Sequence, residues 1–81
     1  MGMLRVMSRR GDDRVTWDTQ RVAIGDPEAL EAVREAEHIF DEQRERGATA
    51  FQVERGRDLV RIDTFDPQLE QIVMVPRVVG G

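Results

Sequence analysis

Apolar residues alternate with polar ones near the N-terminus, recur at helical spacing in the middle of the chain and alternate again afterwards. The runs Met3–Arg9 and Arg14–Asp18 are separated by the turn-rich segment Arg10–Asp13, which predicts a β-hairpin. Trp17 falls on the apolar face of the second run, so we expect its side chain in the core. The connection Thr19–Gly25 fits either an irregular stretch or an extension of that strand.

The clearest pattern predicts one helix from about Asp26 to Arg46. Asp26 is a favourable N-cap, Pro27 suits the first helical position and Gly47 supplies a stop signal. At about 100° per residue, seven apolar side chains share one side of this helix: Ala29, Leu30, Ala32, Val33, Ala36, Ile39 and Phe40. The other side is charged and includes His38, which we expect in solvent rather than in a catalytic role.

After the helix, the period returns to two and predicts a second hairpin. Its strands contain Phe51–Val53 and Val60–Ile62, and Arg55–Asp58 forms the turn between them. A further turn at Asp66-Pro67 leads to Gln71–Val75, which ends in four unbroken apolar residues. Such a run is typical of a central strand that is buried on both faces.

The predicted order is therefore β-β-α-β-β-β, an α+β domain over residues 1–75 with a mixed sheet of about five strands and one helix. This order permits a β-grasp, in which the first and last strands lie side by side and parallel at the centre of the sheet. Other α+β arrangements fit the same order. Residues 76–81 are predicted to form an extended C-terminal tail.

Composition narrows the classes of function. The chain has 81 residues, no cysteine and a net charge of −4, so disulfides, thiol nucleophiles and thiolate metal sites are excluded. No window is apolar enough to cross a bilayer, and we expect a cytoplasmic protein that binds neither membrane nor nucleic acid. Six arginines near the two hairpins form a candidate basic patch: Arg9, Arg10, Arg14, Arg55, Arg57 and Arg61. The net negative charge and the nearby aspartates argue against nucleic-acid binding by this patch.

No side-chain constellation predicts catalysis. The pairs Asp12-Asp13 and Asp63-Asp66 could bring carboxylates together, but turns collect aspartate for local hydrogen bonding, so we expect no metal site. A lone histidine cannot supply the usual metal-ligand spacing, and no phosphate-binding glycine loop precedes the helix. All basic residues are arginine. The absence of lysine reflects either an arginine-biased genome or a chain whose own activated terminus must not be captured by a side-chain amine.

The C-terminus has the most distinctive chemical context. Pro76 cannot donate a ladder hydrogen bond and favours an extended residue before it, so the last strand should end at Val75. Arg77, Val78 and Val79 then lead to Gly80-Gly81 at the end of the chain. Glycine has no Cβ, so a diglycine can pass through a narrow channel and leave its carbonyl accessible to a nucleophile.

This ending, an apolar strand running into proline, small apolar residues and Gly80-Gly81, resembles that of the molybdopterin-synthase small subunit. It is more distantly similar to the thiazole-pathway sulfur carrier and to ubiquitin. The resemblance covers about ten C-terminal residues and the element order. Arg77 stands where that small subunit commonly has a second proline, and Val79 stands where ubiquitin has a basic residue before the glycines.

The resemblance implies a ubiquitin-like or sulfur-carrier protein that is a substrate and carrier, not an enzyme. Its tail, Pro76 to Val79, would be recognised by an adenylating enzyme of the ubiquitin-activating type, which uses ATP and magnesium to activate Gly81; this chain itself binds no cofactor. The acyl group would then form a thiocarboxylate or an amide. Partners would be a sulfur-accepting synthase or an acceptor protein, with a deconjugating peptidase. The alternative is a non-catalytic α+β module that docks through its sheet.

Overall fold

Five strands and two helices make up the part of the chain that the structure describes, and they confirm an α+β fold with a mixed sheet. The structure is a computed structural model and describes residues 1–8 and 11–77. The elements, in chain order, are β1 Gly2–Ser8, β2 Gly11–Trp17, α1 Thr19–Ala23, α2 Pro27–Glu45, β3 Thr49–Val53, β4 Val60–Ile62 and β5 Gln71–Val75.

The sheet has the strand order β2-β1-β5-β3-β4. The first and last strands are neighbours at its centre and run parallel, with Leu4 opposite Ile72, as predicted. All other pairs are antiparallel: β1 with β2, β3 with β5, and β3 with β4. β5 is therefore a central strand that is hydrogen-bonded on both sides.

Helix α2 confirms the strongest sequence prediction. The Asp26 carboxylate accepts a hydrogen bond from the Ala29 amide at 3.1 Å, and Pro27 occupies the first turn. At the other end, Gly47 has φ +92° and its amide donates to the Arg44 carbonyl at 3.0 Å, an arrangement that satisfies a terminal carbonyl.

The prediction of a single helix is wrong, because residues 19–23 form the short helix α1. Asp18 caps it, accepting hydrogen bonds from the Gln20 amide at 2.9 Å and the Arg21 amide at 3.2 Å. Val22 packs against the core, whereas Ile24 is 83% exposed. A helix this short has no periodicity of its own to detect, and the Asp18 cap and the packing of Val22 against the core favour it.

The first hairpin is longer than its sequence predicts. Pairing continues to Ser8 opposite Gly11, so β2 begins at Gly11 rather than at Arg14. Asp12, expected in a turn, lies in the strand, where its carboxylate accepts hydrogen bonds from Arg5 and Arg14. These cross-strand and same-strand partners offset the low strand propensity of aspartate. Arg9, the predicted end of β1, and Arg10 lie outside the described residues.

The core lies between α2 and one face of the sheet. Its central side chains are almost fully buried: Leu4, Trp17, Ala36, Phe40, Ala48, Ala50, Ile72 and Met74. Phe65, from the loop before β5, bridges two of them, with its ring centroid 5.7 Å from that of Trp17 and 5.8 Å from that of Phe40. The Trp17 indole donates to the Pro67 carbonyl at 2.9 Å, so the prediction of a core tryptophan is confirmed.

Candidate functional site

The structure reaches only the first part of the predicted tail. Pro76 and Arg77 are described and exposed, whereas Val78, Val79, Gly80 and Gly81 lie outside the described residues. The last ladder pair on this side of the sheet is Val75 opposite Thr49, and β5 ends at Val75 as predicted. Pro76 has no amide hydrogen with which to continue the ladder, which explains this end point.

Arg77 still contacts the folded domain. A Cβ built on Gly47 would lie 3.1 Å from Cδ and 3.6 Å from Cβ of Arg77, so the aliphatic stem of Arg77 passes directly over Gly47. Arg77, the second residue of the predicted tail, therefore packs beside the end of α2. Both residues were predicted to matter, Gly47 as a helix stop and Arg77 as a recognition residue, but no sequence pattern predicts that they are in contact.

The sheet face away from α2 carries an apolar groove that the sequence analysis missed. We expected β5 to be buried on both faces, and this is wrong: Ile72 and Met74 are buried, but Val73 and Val75 are only half-buried. They line a groove of about 410 Å³ together with residues of the neighbouring strands and the β3–β4 turn. Its complete lining is Arg5, Met7, Phe51, Val53, Leu59, Gln71, Val73 and Val75.

Arginines border the apolar centre of this open face. In one row across the sheet, Arg14 lies opposite Arg5, Arg5 opposite Val73, Val73 opposite Phe51, and Phe51 opposite Arg61. Two apolar side chains are thus flanked by guanidinium groups on both sides. The unbroken apolar run of β5 was the sequence signal for this surface, because an apolar residue at every position supplies both faces.

One carboxylate, that of Asp12, balances the arginines on one side of the open face. Hydrogen bonds from Arg14, at 3.1 Å, and from Arg5 lower the pKa of Asp12 below its ordinary value. The group is exposed, so water and salt screen these pairs. On the other side, Arg61 forms no ion pair with any residue in the described ranges.

A second, smaller cavity of about 190 Å³ lies between α2 and the first hairpin. Val6, Val15 and Ile39 contribute apolar walls, and Asp13 and Glu42 add carboxylates. Glu42 already accepts a hydrogen bond from Arg46 at 2.9 Å. This cavity holds no arrangement of nucleophile, acid and base.

The remaining sequence candidates have local roles. His38 lies on the exposed side of α2, 3.7 Å from Glu42. Asp63 accepts a hydrogen bond from Arg44 at 3.3 Å, and Asp66 accepts one from the Gln68 amide at 2.9 Å. Within residues 1–8 and 11–77, no three His, Cys, Asp or Glu side chains are placed to share a metal ion. Neither described helix is long and apolar enough to cross a membrane.

Two features thus stand out in the described residues: the base of the C-terminal segment at Pro76 and Arg77, and the apolar groove bordered by arginines. Both involve β5, whose end and open face they occupy. In comparisons with known proteins, no family model, no curated protein and no solved structure matches this chain.

Proposed function

We propose that this chain is a β-grasp protein of the ubiquitin-like or sulfur-carrier kind, whose Gly81 carboxylate is activated and transferred by partner enzymes in the cytoplasm. The observation that carries the proposal is the position of β5. This central strand pairs in parallel with β1 and ends at Val75, directly before Pro76, Arg77 and the terminal diglycine. The first two residues after this central strand, Pro76 and Arg77, are exposed, which supports a C-terminal segment accessible to a partner.

The chemistry requires a partner. The Gly81 carboxylate would attack the α-phosphorus of magnesium-bound ATP in the activating enzyme, forming an acyl-adenylate and releasing pyrophosphate. Attack by sulfide would then give a thiocarboxylate, and attack by an amine of an acceptor protein would give an amide, with AMP leaving in each case. A sulfur-accepting synthase would consume the first product, and a deconjugating peptidase would hydrolyse the second. This chain contributes the acyl group and the recognition residues Pro76 to Val79.

The test compares the full-length chain with a variant that lacks Gly80 and Gly81, using the activating enzyme of the same host. We expect pyrophosphate exchange with the full-length chain and none with the truncated chain, while both have the same melting temperature. Gly81→Val should reduce the transfer step without changing stability, because residues of other segments supply the buried core of the described chain. Intact-mass spectrometry then distinguishes one sulfur in place of one oxygen from attachment to a larger protein.

The groove on the open sheet face favours a second candidate, a protein-interaction module without chemistry at its tail. Apolar patches bordered by polar residues mark interaction surfaces, and this one presents Phe51 and Val73 between arginines. A docking module tolerates deletion of Gly80-Gly81 but not a charge in the groove, such as Phe51→Asp. If the truncated chain supports its host as well as the full-length chain, or if no activating enzyme of that host adenylates the intact tail, the carrier proposal is rejected in favour of this one.

A further inference from the structure

The contact between Gly47 and Arg77 continues the pairing of β3 with β5 beyond its hydrogen bonds. β3 and β5 are antiparallel, with Thr49 opposite Val75. Two residues before Thr49 and two residues after Val75, the same register places Gly47 opposite Arg77. Pro76 interrupts the ladder between these two pairs. The stem of Arg77 nevertheless crosses Gly47, with Cδ 3.1 Å from the position that a Cβ on Gly47 would occupy. The chain beyond Val75 thus keeps the direction of the sheet for two more residues.

Gly47 differs from the other described glycines with positive φ. Gly11, Gly25 and Gly56 also have positive φ, and a Cβ built on any of them meets nothing within 4 Å. Their positions require glycine only for the backbone conformation. Gly47 has φ +92° and, in addition, provides the free space into which the Arg77 stem fits. The residue that ends α2 therefore also holds the base of the C-terminal segment.

We infer that Gly47 and Arg77 are positioning residues for the C-terminal segment, an inference that rests on the proposed function. Because the Arg77 stem lies against Gly47, the distance over which the chain can reach into an activating enzyme is counted from residue 78. Four residues reach at most about 14 Å, whereas six residues counted from Pro76 would reach about 21 Å. The enzyme must therefore dock close to the end of α2, and displacement of Arg77 changes how the carboxylate is presented.

The first experiment needs no enzyme. Gly47→Ala introduces both backbone strain and a contact with the Arg77 stem, whereas Gly25→Ala introduces strain alone and serves as the matched control. NMR relaxation should give the Arg77 amide an order parameter typical of ordered backbone, about 0.8, in the wild type and in Gly25→Ala, and below about 0.6 in Gly47→Ala. An Arg77 amide that is already mobile in the wild type, or unchanged in Gly47→Ala, overturns the inference.

The second experiment measures adenylation with the host's activating enzyme and MgATP. At equal folded fraction, kcat/KM should fall about tenfold in Gly47→Ala relative to Gly25→Ala, because a small misplacement of a reacting group is costly. In an Arg77→Ala background, Gly47→Ala and Gly25→Ala should lower kcat/KM by the same factor, because the Arg77 stem that Gly47→Ala would displace is absent.

The outcomes separate this inference from the function on which it rests. If the wild type is not adenylated, the proposed function fails, and the NMR experiment still decides whether Gly47 holds Arg77. If the wild type is adenylated and Gly47→Ala matches Gly25→Ala, the proposed function stands and the positioning role is rejected.

Discussion

On the central strand β5, the side chains on the two faces of the sheet are equally apolar but differ in burial. On β5, Ile72 and Met74 point towards α2 and are fully buried, whereas Val73 and Val75, on the same strand, point the other way and remain half-exposed. All four residues are apolar, so hydrophobicity does not separate them. The difference comes from the single helical layer, which covers one face only. The covered face forms the buried core, and the open face leaves apolar side chains partly exposed to solvent.

The charges are also divided between the two sides of the molecule. The outer side of α2 carries an excess of carboxylates, including Glu31, Glu35 and Asp41, while the open face carries Arg5, Arg14 and Arg61. The net charge of −4 conceals this separation. Overall charge therefore describes solubility better than it describes the surface that a partner meets.

The largest expected contrast is between one phenylalanine on each face. Phe40→Ala should lower the free energy of unfolding by about 3 kcal/mol, because Phe40 is 1% exposed and its loss leaves a cavity. That is a large share of the roughly 5 kcal/mol expected for a small domain. Phe51→Ala, on the open face, should cost about 1 kcal/mol or less, and exposed His38→Ala less than about 0.5 kcal/mol. Chemical denaturation measures all three, and equal losses for Phe40 and Phe51 would contradict the comparison.

A second variant tests the packing at the edge of the covered face. A Cβ on Gly2 would lie 2.2 Å from Nε1 of Trp17, so Gly2→Ala must push the indole away from the Pro67 carbonyl. We expect a loss of about 2 kcal/mol from this overpacking. Trp17 is the only tryptophan, so its fluorescence emission should shift to longer wavelength in the native state. Gly56→Ala, which meets no neighbour, should leave the emission unchanged; a shift in both variants would refute the local explanation.

The smallest effect concerns the exposed charges of the open face. The pKa of Asp12 is lowered in the folded chain, so its ion pairs contribute stability above the unfolded pKa, near 4, and lose it as the pH falls through the folded pKa. Asp12→Asn should therefore be slightly less stable than the wild type at neutral pH, and this difference should disappear in acid and shrink in high salt. Melting curves across pH provide the measurement. A difference that persists at low pH would assign the effect to packing instead.

Sequence patterns determined the local elements and their order. The helix limits followed from Asp26, Pro27 and Gly47, whose backbone and capping preferences act over a few residues, and the end of β5 followed from Pro76 in the same way. The burial of Trp17 and Phe40 followed from periodicity, because each lies on an apolar face of its own element. Short segments escaped these rules. The Asp18 cap and the packing of Val22 against the core favour α1. Asp12 lies opposite Met7 in a strand, where Arg5, diagonally across on β1, and Arg14 donate hydrogen bonds to its carboxylate.

Tertiary structure alone decided which surfaces stayed open. An unbroken apolar strand is compatible with two covered faces or with one, and only the count and placement of helices show that β5 is covered once. Likewise, Gly47 and Arg77 are thirty residues apart in the chain, and the antiparallel register of β3 and β5 brings them together. Local preferences specify a helix or strand from its own residues. A groove, or a contact such as that between Gly47 and Arg77, depends on residues that are distant in the chain, and only tertiary packing brings those residues together.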